Sequence, residues 1–340
     1  MSDAPKIAVV GAGIVGLSTA LFLEQEIRGA KVTVLADKFD SDTTSYIAAG
    51  FFRPGTSFTG PNQQITKQWI NNSWDHWSEM LKSPEAPTAG VTRLSAYMFS
   101  KVNPSVVRNH LIEDIVPIYR KATEDELKLC GDGWKYGSFF SSLLIESKLF
   151  LPWATKKIMA NGSVIKMQSV QSFSEISNDY DIIMNCTGLG SRQLCDDMHL
   201  VPIRGQVIKV KAPWVKTAFY GDYDAYVLPG FSSVTLGGTR QYDSYNTSVC
   251  KHDAAAIMER CSELLPALRS AEVVQHAVGL RPHRVPVRVE GEWLDLKGGK
   301  VKVVHCYGHG GYGVTCAPGT AKHAVRIAKE MLMTNSNSKL

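Results

Sequence analysis

No CxxC pair occurs anywhere in the chain, and its seven cysteines, at positions 130, 186, 195, 250, 261, 306 and 316, form an odd set. This argues against a disulfide framework or a structural zinc site and suits a reducing compartment, so no metal is expected. There is no block of basic residues either. The net charge of +5 is spread over 340 residues, which makes nucleic acid an unexpected partner, while a locally positive pocket would still welcome an acidic small molecule. An uncharged run at 7–23 has no cleavage pattern after it and contains three placed glycines. It reads as strand, turn and helix rather than an export signal, and membrane insertion is not expected.

What is present begins with KIAVV-GAGIVG-STALFLEQE-KVTVLAD, in which an apolar strand, a glycine turn, a helix and a second strand follow in register. Gly11 permits a tight turn, Gly13 lets a pyrophosphate approach the backbone, and Gly16 allows close helix–strand packing. Together with Ala12, Ile14 and Val15 they form an anion site at a helix N-terminus. Asp37 stands twenty-one residues beyond Gly16, where a carboxylate can accept both hydroxyls of an adenosine ribose. Lys38, Thr43, Thr44 and Ser45 can contact phosphate, and Ala48 to Gly50 permit close backbone approach.

Beyond residue 50 the strand–helix rhythm is lost. Trp69, Trp74 and Trp77 recur at helical spacing and are expected to face a core. The rhythm resumes near residue 141 with a helix and a strand, where the Val164 backbone could meet an adenine ring, and Asn185 to Gly190 bring another strand end toward the phosphates. Residues 200–275 alternate in the manner of a sheet that could cover a ligand. In YGHGGYG, Gly308, Gly310, Gly311, Tyr312 and Gly313 precede a helix whose amides, with Thr315, can face an anion; so much glycine leaves the direction of His309 undefined. The fold expected is α/β, α+β overall, with a Rossmann-like cofactor domain (1–50, 141–195 and 276–340) interleaved with a mainly β substrate domain (51–140 and 196–275).

The ordered set GAGIVGLSTA, DTTS…AAG, NCTGLGS, RGQ, YVLPG, LGG, GLRPHR, YGHGGYG and terminal SKL spans nearly the whole chain and resembles the D-amino acid oxidase and D-aspartate oxidase family. The resemblance implies FAD, and oxidation of a D-amino acid to an imino acid that hydrolyses to a 2-oxo acid and ammonia, with dioxygen reduced to hydrogen peroxide. It also implies that Arg281 clamps the α-carboxylate, that Tyr226 donates to it, and that the Gly311 carbonyl accepts from the α-amine. A guanidinium fork suits a planar carboxylate. Orientation then matters more than a protein base, and no acid–base dyad stands out in the sequence.

Arg240, in LGGTRQ, matches the arginine of the acidic-substrate branch, and Arg53 adds a positive group that neither branch prescribes. Gly311 instead resembles the neutral-substrate branch, whose second tyrosine is replaced here by Asp222, with Tyr220 and Tyr223 nearby. An acidic D-amino acid is therefore the expected substrate. A neutral or broad D-amino acid oxidase, a non-catalytic flavin-binding redox sensor and an NAD-linked dehydrogenase are the alternatives. Ser338-Lys339-Leu340 reads as a peroxisomal address for an import receptor. The oligomeric state is not legible.

Overall fold

The computed structural model describes residues 4–296 and 299–334. The chain opens with β1 (Lys6–Val10), α1 (Ile14–Glu26), β2 (Lys31–Ala36) and the one-turn α2 (Thr44–Ile47), then runs through α3 (Gln63–Lys82) to β3 (Val91–Ser100). Next come β4 (Ile118–Lys121), the one-turn α4 (Glu124–Leu127), β5 (Tyr136–Ile145), α5 (Ser147–Ala160), β6 (Val164–Met167), β7 (Ile182–Asn185) and the one-turn α6 (Ser191–Leu194). The second half holds β8 (Val201–Lys211), β9 (Ala218–Tyr220), β10 (Tyr226–Pro229), β11 (Val234–Gly237), β12 (Gln241–Tyr242) and α7 (Lys251–Leu264). It closes with β13 (Glu272–Leu296), β14 (Gly299–His309) and α8 (Gly313–Met333).

The fourteen strands of the described residues belong to one mixed sheet, ordered β4-β5-β3-β9-β10-β11-β8-β13-β14-β7-β1-β2-β6, with β12 paired to β8. The run β14-β7-β1-β2-β6 is parallel throughout. Parallel strands need both faces covered; α1 helps to cover one of them and is itself enclosed by α5 and α8, so that every residue from Gly16 to Leu23 is buried. The long β13 joins the two regions. Its residues 272–283 pair with β8 and its residues 283–296 pair with β14.

The expected segment boundaries need correction. Residue 141 falls inside β5 and residue 276 inside β13, because hydrogen-bonded strands carry the chain across without a linker. Helix α3, expected in the substrate region, packs on α8 of the cofactor region. It starts at Asn62, whose side chain accepts from the Ile65 amide at 2.9 Å. Its buried face then makes four polar contacts to α8: Trp69 Nε1 donates to His323 Nδ1 (2.8 Å), Trp77 Nε1 to the Thr315 carbonyl (3.0 Å), Ser73 Oγ to the Cys316 carbonyl (3.2 Å), and the Gly319 amide to Ser73 Oγ (2.8 Å). Trp69 and Trp77 are fully buried and Trp74 packs at the edge of the same core. Among the described residues no helix is long and apolar enough to cross a membrane, and no cluster of His, Cys, Asp or Glu could hold a metal ion.

Candidate active site

The carboxyl ends of the parallel strands open into a cavity of about 880 Å3, where open α/β sheets place their ligands. Gly11 forms its floor with φ +108°, and a Cβ there would stand 2.5 Å from the Cys186 carbonyl oxygen. Ala12, Gly13, Ile14 and Val15 follow along the start of α1, with Ser45 Oγ accepting from the Ile14 amide at 3.0 Å. Asp37 and Lys38 lie at the end of β2, and Gly310, Gly311, Tyr312, Gly313 and Thr315 at the start of α8. Two helix N-termini and a strand-end carboxylate facing one cavity fit a ligand with a pyrophosphate at its middle and a ribose at one end.

Thr43, Thr44 and Gly50 also line the cavity. Thr43 Oγ1 donates to the Asp40 carbonyl within its own turn, and Thr44 Oγ1 reaches the Leu280 carbonyl at 3.2 Å. Two expected cofactor contacts are placed elsewhere. Gly16 sits beneath the turn, where a Cβ would meet the Gly11 carbonyl oxygen, so it serves packing rather than lining. Val164 pairs with Thr33 at the amino end of β6; the residues of that segment that reach the cavity are Gln168, Ser169, Val170 and Gln171, just past its carboxyl end. The rule that ligands sit at carboxyl strand ends points to these four once β6 is placed. Thr187, Gly188, Leu189 and Gly190, after β7, line the cavity as well.

At the other end the walls come from β8, β9, β10, β12 and β13. Arg281 projects from β13 and donates from Nη1 to the Thr239 carbonyl at 3.0 Å, while Thr239 Oγ1 accepts from the Gln206 amide at 2.8 Å. A Cβ at Gly205 would stand 2.2 Å from Arg281 Nη1, and one at Gly237 would stand 2.0 Å from the Tyr226 ring. The absence of side chains at these two positions makes room for the guanidinium and the phenol. Burial raises the Tyr226 pKa, with Arg281 opposing the shift, so the phenol stays protonated and able to donate at neutral pH. Gly311 is exposed at the turn between β14 and α8, with Arg281 Cδ 3.6 Å from the position its Cβ would take.

Two further guanidinium groups line this end. Arg240 holds Asp224 Oδ1 at 3.2 Å, and both side chains are near 45% exposed (43% and 46%). Arg53 lies 4.5 Å from the centroid of the Tyr220 ring. Asp222 is turned aside: its carboxylate accepts from Ser100 Oγ (2.7 Å) and the Lys101 amide (2.8 Å). Tyr223 is largely exposed. Although His309 borders the cavity, it is buried with Nε2 2.8 Å from Thr320 Oγ1, and burial lowers its pKa to about 4. It is a packing residue rather than a base presented to a ligand.

A family model described as FAD dependent oxidoreductase matches residues 6–327. The chain is 40% identical to the D-aspartate oxidase of Homo sapiens over 329 residues, 96% of each chain. It is 34% identical to the D-amino acid oxidase of Dugesia ryukyuensis over 333 residues, 96% of this chain and 98% of the relative. Among solved structures, the glycine oxidase of Bacillus cereus ATCC 14579 shares the fold with a TM-score of 0.77 at 19% identity, covering 96% of this chain and 95% of that one.

Proposed function

This chain belongs to the FAD-dependent oxidoreductase family, and from that premise we propose that it oxidises acidic D-amino acids, taking D-amino acid, dioxygen and water to 2-oxo acid, ammonia and hydrogen peroxide. The observation that carries the substrate class is the charge at the far end of the cavity. Three guanidinium groups, Arg53, Arg240 and Arg281, line it with Asp222 and Asp224. Asp222 is taken up by Ser100 and Lys101, and Asp224 by Arg240. Arg53 and Arg281 are left without a carboxylate partner among the described residues, so a substrate with two carboxylates supplies one to each, whereas a neutral side chain leaves one guanidinium without a partner.

FAD, when bound, supplies the acceptor for the α-hydrogen and two electrons. The α1 amides from Ala12 to Val15, the α8 N-terminus, and Asp37 with Lys38 are the groups that would hold it. Arg281, anchored to Thr239 through one Nη1 hydrogen bond, offers the rest of its fork to the α-carboxylate, and the Tyr226 hydroxyl donates to the same group. The Gly311 carbonyl accepts from the α-amine. With three fixed contacts around one carbon, orientation decides which α-hydrogen is presented, and hence the enantiomer.

Anaerobic mixing of the yellow holoprotein with D- and L-amino acids, followed by flavin absorbance, tests this reading. D-aspartate should bleach the flavin and L-aspartate should not. Arg281→Leu should weaken binding of acidic and neutral D-amino acids alike while the bound flavin spectrum persists. Bleaching by L-enantiomers, or faster bleaching by D-alanine than by D-aspartate, would contradict the proposal. Peroxide release on readmitting air tests the role of dioxygen.

The tripeptide Ser338-Lys339-Leu340 lies outside the described residues. We propose that it addresses the protein to the peroxisomal matrix through an import receptor, a compartment suited to a peroxide producer. A fluorescent protein carrying the native tail should collect in peroxisomes and lose that location without Leu340; diffuse signal with the tail intact rejects the address.

A further inference from the structure

Sequence pattern points to Arg240 as the reader of a second carboxylate, but the geometry points to Arg53. We infer that Arg53 is the residue that binds the distal carboxylate of the substrate and sets acidic specificity, with Arg240 holding the Asp224 loop at the mouth of the cavity. This rests on the oxidase reading above and names the residue responsible for its substrate class.

Arg53 stands on a backbone held on both sides. The Phe52 amide donates to the Leu143 carbonyl (2.8 Å), the Phe52 carbonyl accepts from Ser142 Oγ (2.7 Å), and the Pro54 carbonyl accepts from Asn109 Nδ2 (2.9 Å). Its side chain therefore enters the cavity from a fixed origin. The guanidinium packs on the Tyr220 ring, and Tyr220 is the cross-strand neighbour of Tyr226, with ring centroids 5.8 Å apart. A row of cation, ring and ring thus leads from Arg53 to the phenol that accompanies Arg281. Arg53 stands at one end of that row and Tyr226 at the other, so a dicarboxylate held at Tyr226 by its α-carboxylate can turn its second carboxylate toward Arg53.

What separates Arg53 from Arg240 is the state of their donors. Arg53 Nε is buried without a hydrogen-bond partner, and no carboxylate among the described residues pairs with this guanidinium. The guanidinium lines the cavity without a carboxylate of its own, so an anionic ligand can supply the charge partner that the protein does not. Arg240 already has a carboxylate partner in Asp224, so a second carboxylate competes with that pair and gains less there. The Tyr220 phenol, pushed up to about 12 by burial against the opposing effect of Arg53, is neutral and cannot serve as the missing anion.

The test uses holoenzyme with Arg53→Met, Arg53→Gln, Arg53→Lys and Arg240→Met, each first checked for a native flavin spectrum. Turnover is compared on D-aspartate and D-alanine. Binding of non-reacting malonate and acetate is read from perturbation of flavin absorbance, which requires no chemistry. Arg53→Met and Arg53→Gln should each lower kcat/KM for D-aspartate roughly 10–150-fold and weaken malonate similarly, the range for loss of a charge-assisted contact. D-alanine and acetate should change less than about threefold, since they carry no second carboxylate for the lost charge to meet. Arg53→Lys should recover part of the loss, and Arg240→Met should alter the ratio of the two substrates little.

If the wild type prefers D-aspartate and both neutral Arg53 variants keep that preference, the assignment of Arg53 is wrong while the acidic-oxidase reading stands. A large selective loss in Arg240→Met alone returns the role to Arg240. A wild type that prefers D-alanine and binds malonate no better than acetate overturns the substrate class and this inference together.

Discussion

At the residue scale, burial decides which titratable groups do chemistry and which only tie stability to pH. His309 borders the cavity, but its imidazole is enclosed by Phe58, Thr320 and the start of α8, and burial depresses its pKa from 6.5 to about 4. Below pH 6.5 the unfolded chain takes up a proton there that the folded chain refuses. Stability from this site is therefore complete above about pH 6.5 and is lost as pH falls toward 4, with a slope of at most about 1.4 kcal/mol per pH unit. Urea titrations of the holoprotein between pH 7 and 4.5 should show that decline. His309→Gln should flatten part of it while lowering stability at pH 7. Only part is recoverable, because burial also depresses His76 and His305 to about 4; an unchanged slope in the variant would remove His309 from the account. Motif pattern identifies Arg281 and Tyr226, which the structure brings to one end of the cavity. The pairing of Arg240 with Asp224 and the orphaned donor of Arg53 depend on loop geometry, which residue spacing does not contain.

At the element scale, the aromatic stripe of α3 marks a buried face in the sequence, but not the surface that buries it. That surface is α8, and the contact is close because Gly319 has no side chain: a Cβ there would stand 1.9 Å from the Trp69 carbonyl oxygen and 2.7 Å from Ser73 Oγ. The nearer of those atoms is helix backbone, which cannot rotate away as a side chain can. Gly319→Ala should therefore force the two helices apart and cost about 1–3 kcal/mol or more, despite the gain in helix propensity. The first turn of α8 lines the cofactor cavity, so the same variant should also bind FAD more weakly. Calorimetry with and without added FAD checks both effects. A variant that melts at the wild-type temperature would mean that α3 and α8 can separate at little cost. The Val164 expectation failed for a related reason. The sequence shows a helix and strand there, but which end of the strand faces the cavity follows from its parallel pairing with β2.

At the scale of the whole molecule, the glycine turn, the acid at the end of β2 and the repeated strand–helix returns made the cofactor half legible. The alternating segments announced a sheet over the ligand. What the pattern hid is that the two regions share one sheet and the largest of three hydrophobic clusters. The largest hydrophobic cluster runs from Val9 and Leu17 through Trp69, Phe140 and Leu144 to Tyr220, Leu228, Val289 and Val304, drawing on both expected domains. Strand β13 carries backbone hydrogen bonds from β8 to β14 without a break in the chain between them. Separating the regions exposes that shared core and unpairs the middle of a sheet, so neither has a boundary along which to unfold alone. Denaturant unfolding of the holoprotein should accordingly give one transition. Far-ultraviolet dichroism, tryptophan fluorescence and release of flavin should share a midpoint, because the cavity walls come from both regions. If dichroism resolves two steps, or flavin leaves well before the tryptophans are exposed, the shared sheet does not couple the regions and they must be treated as separate folding units.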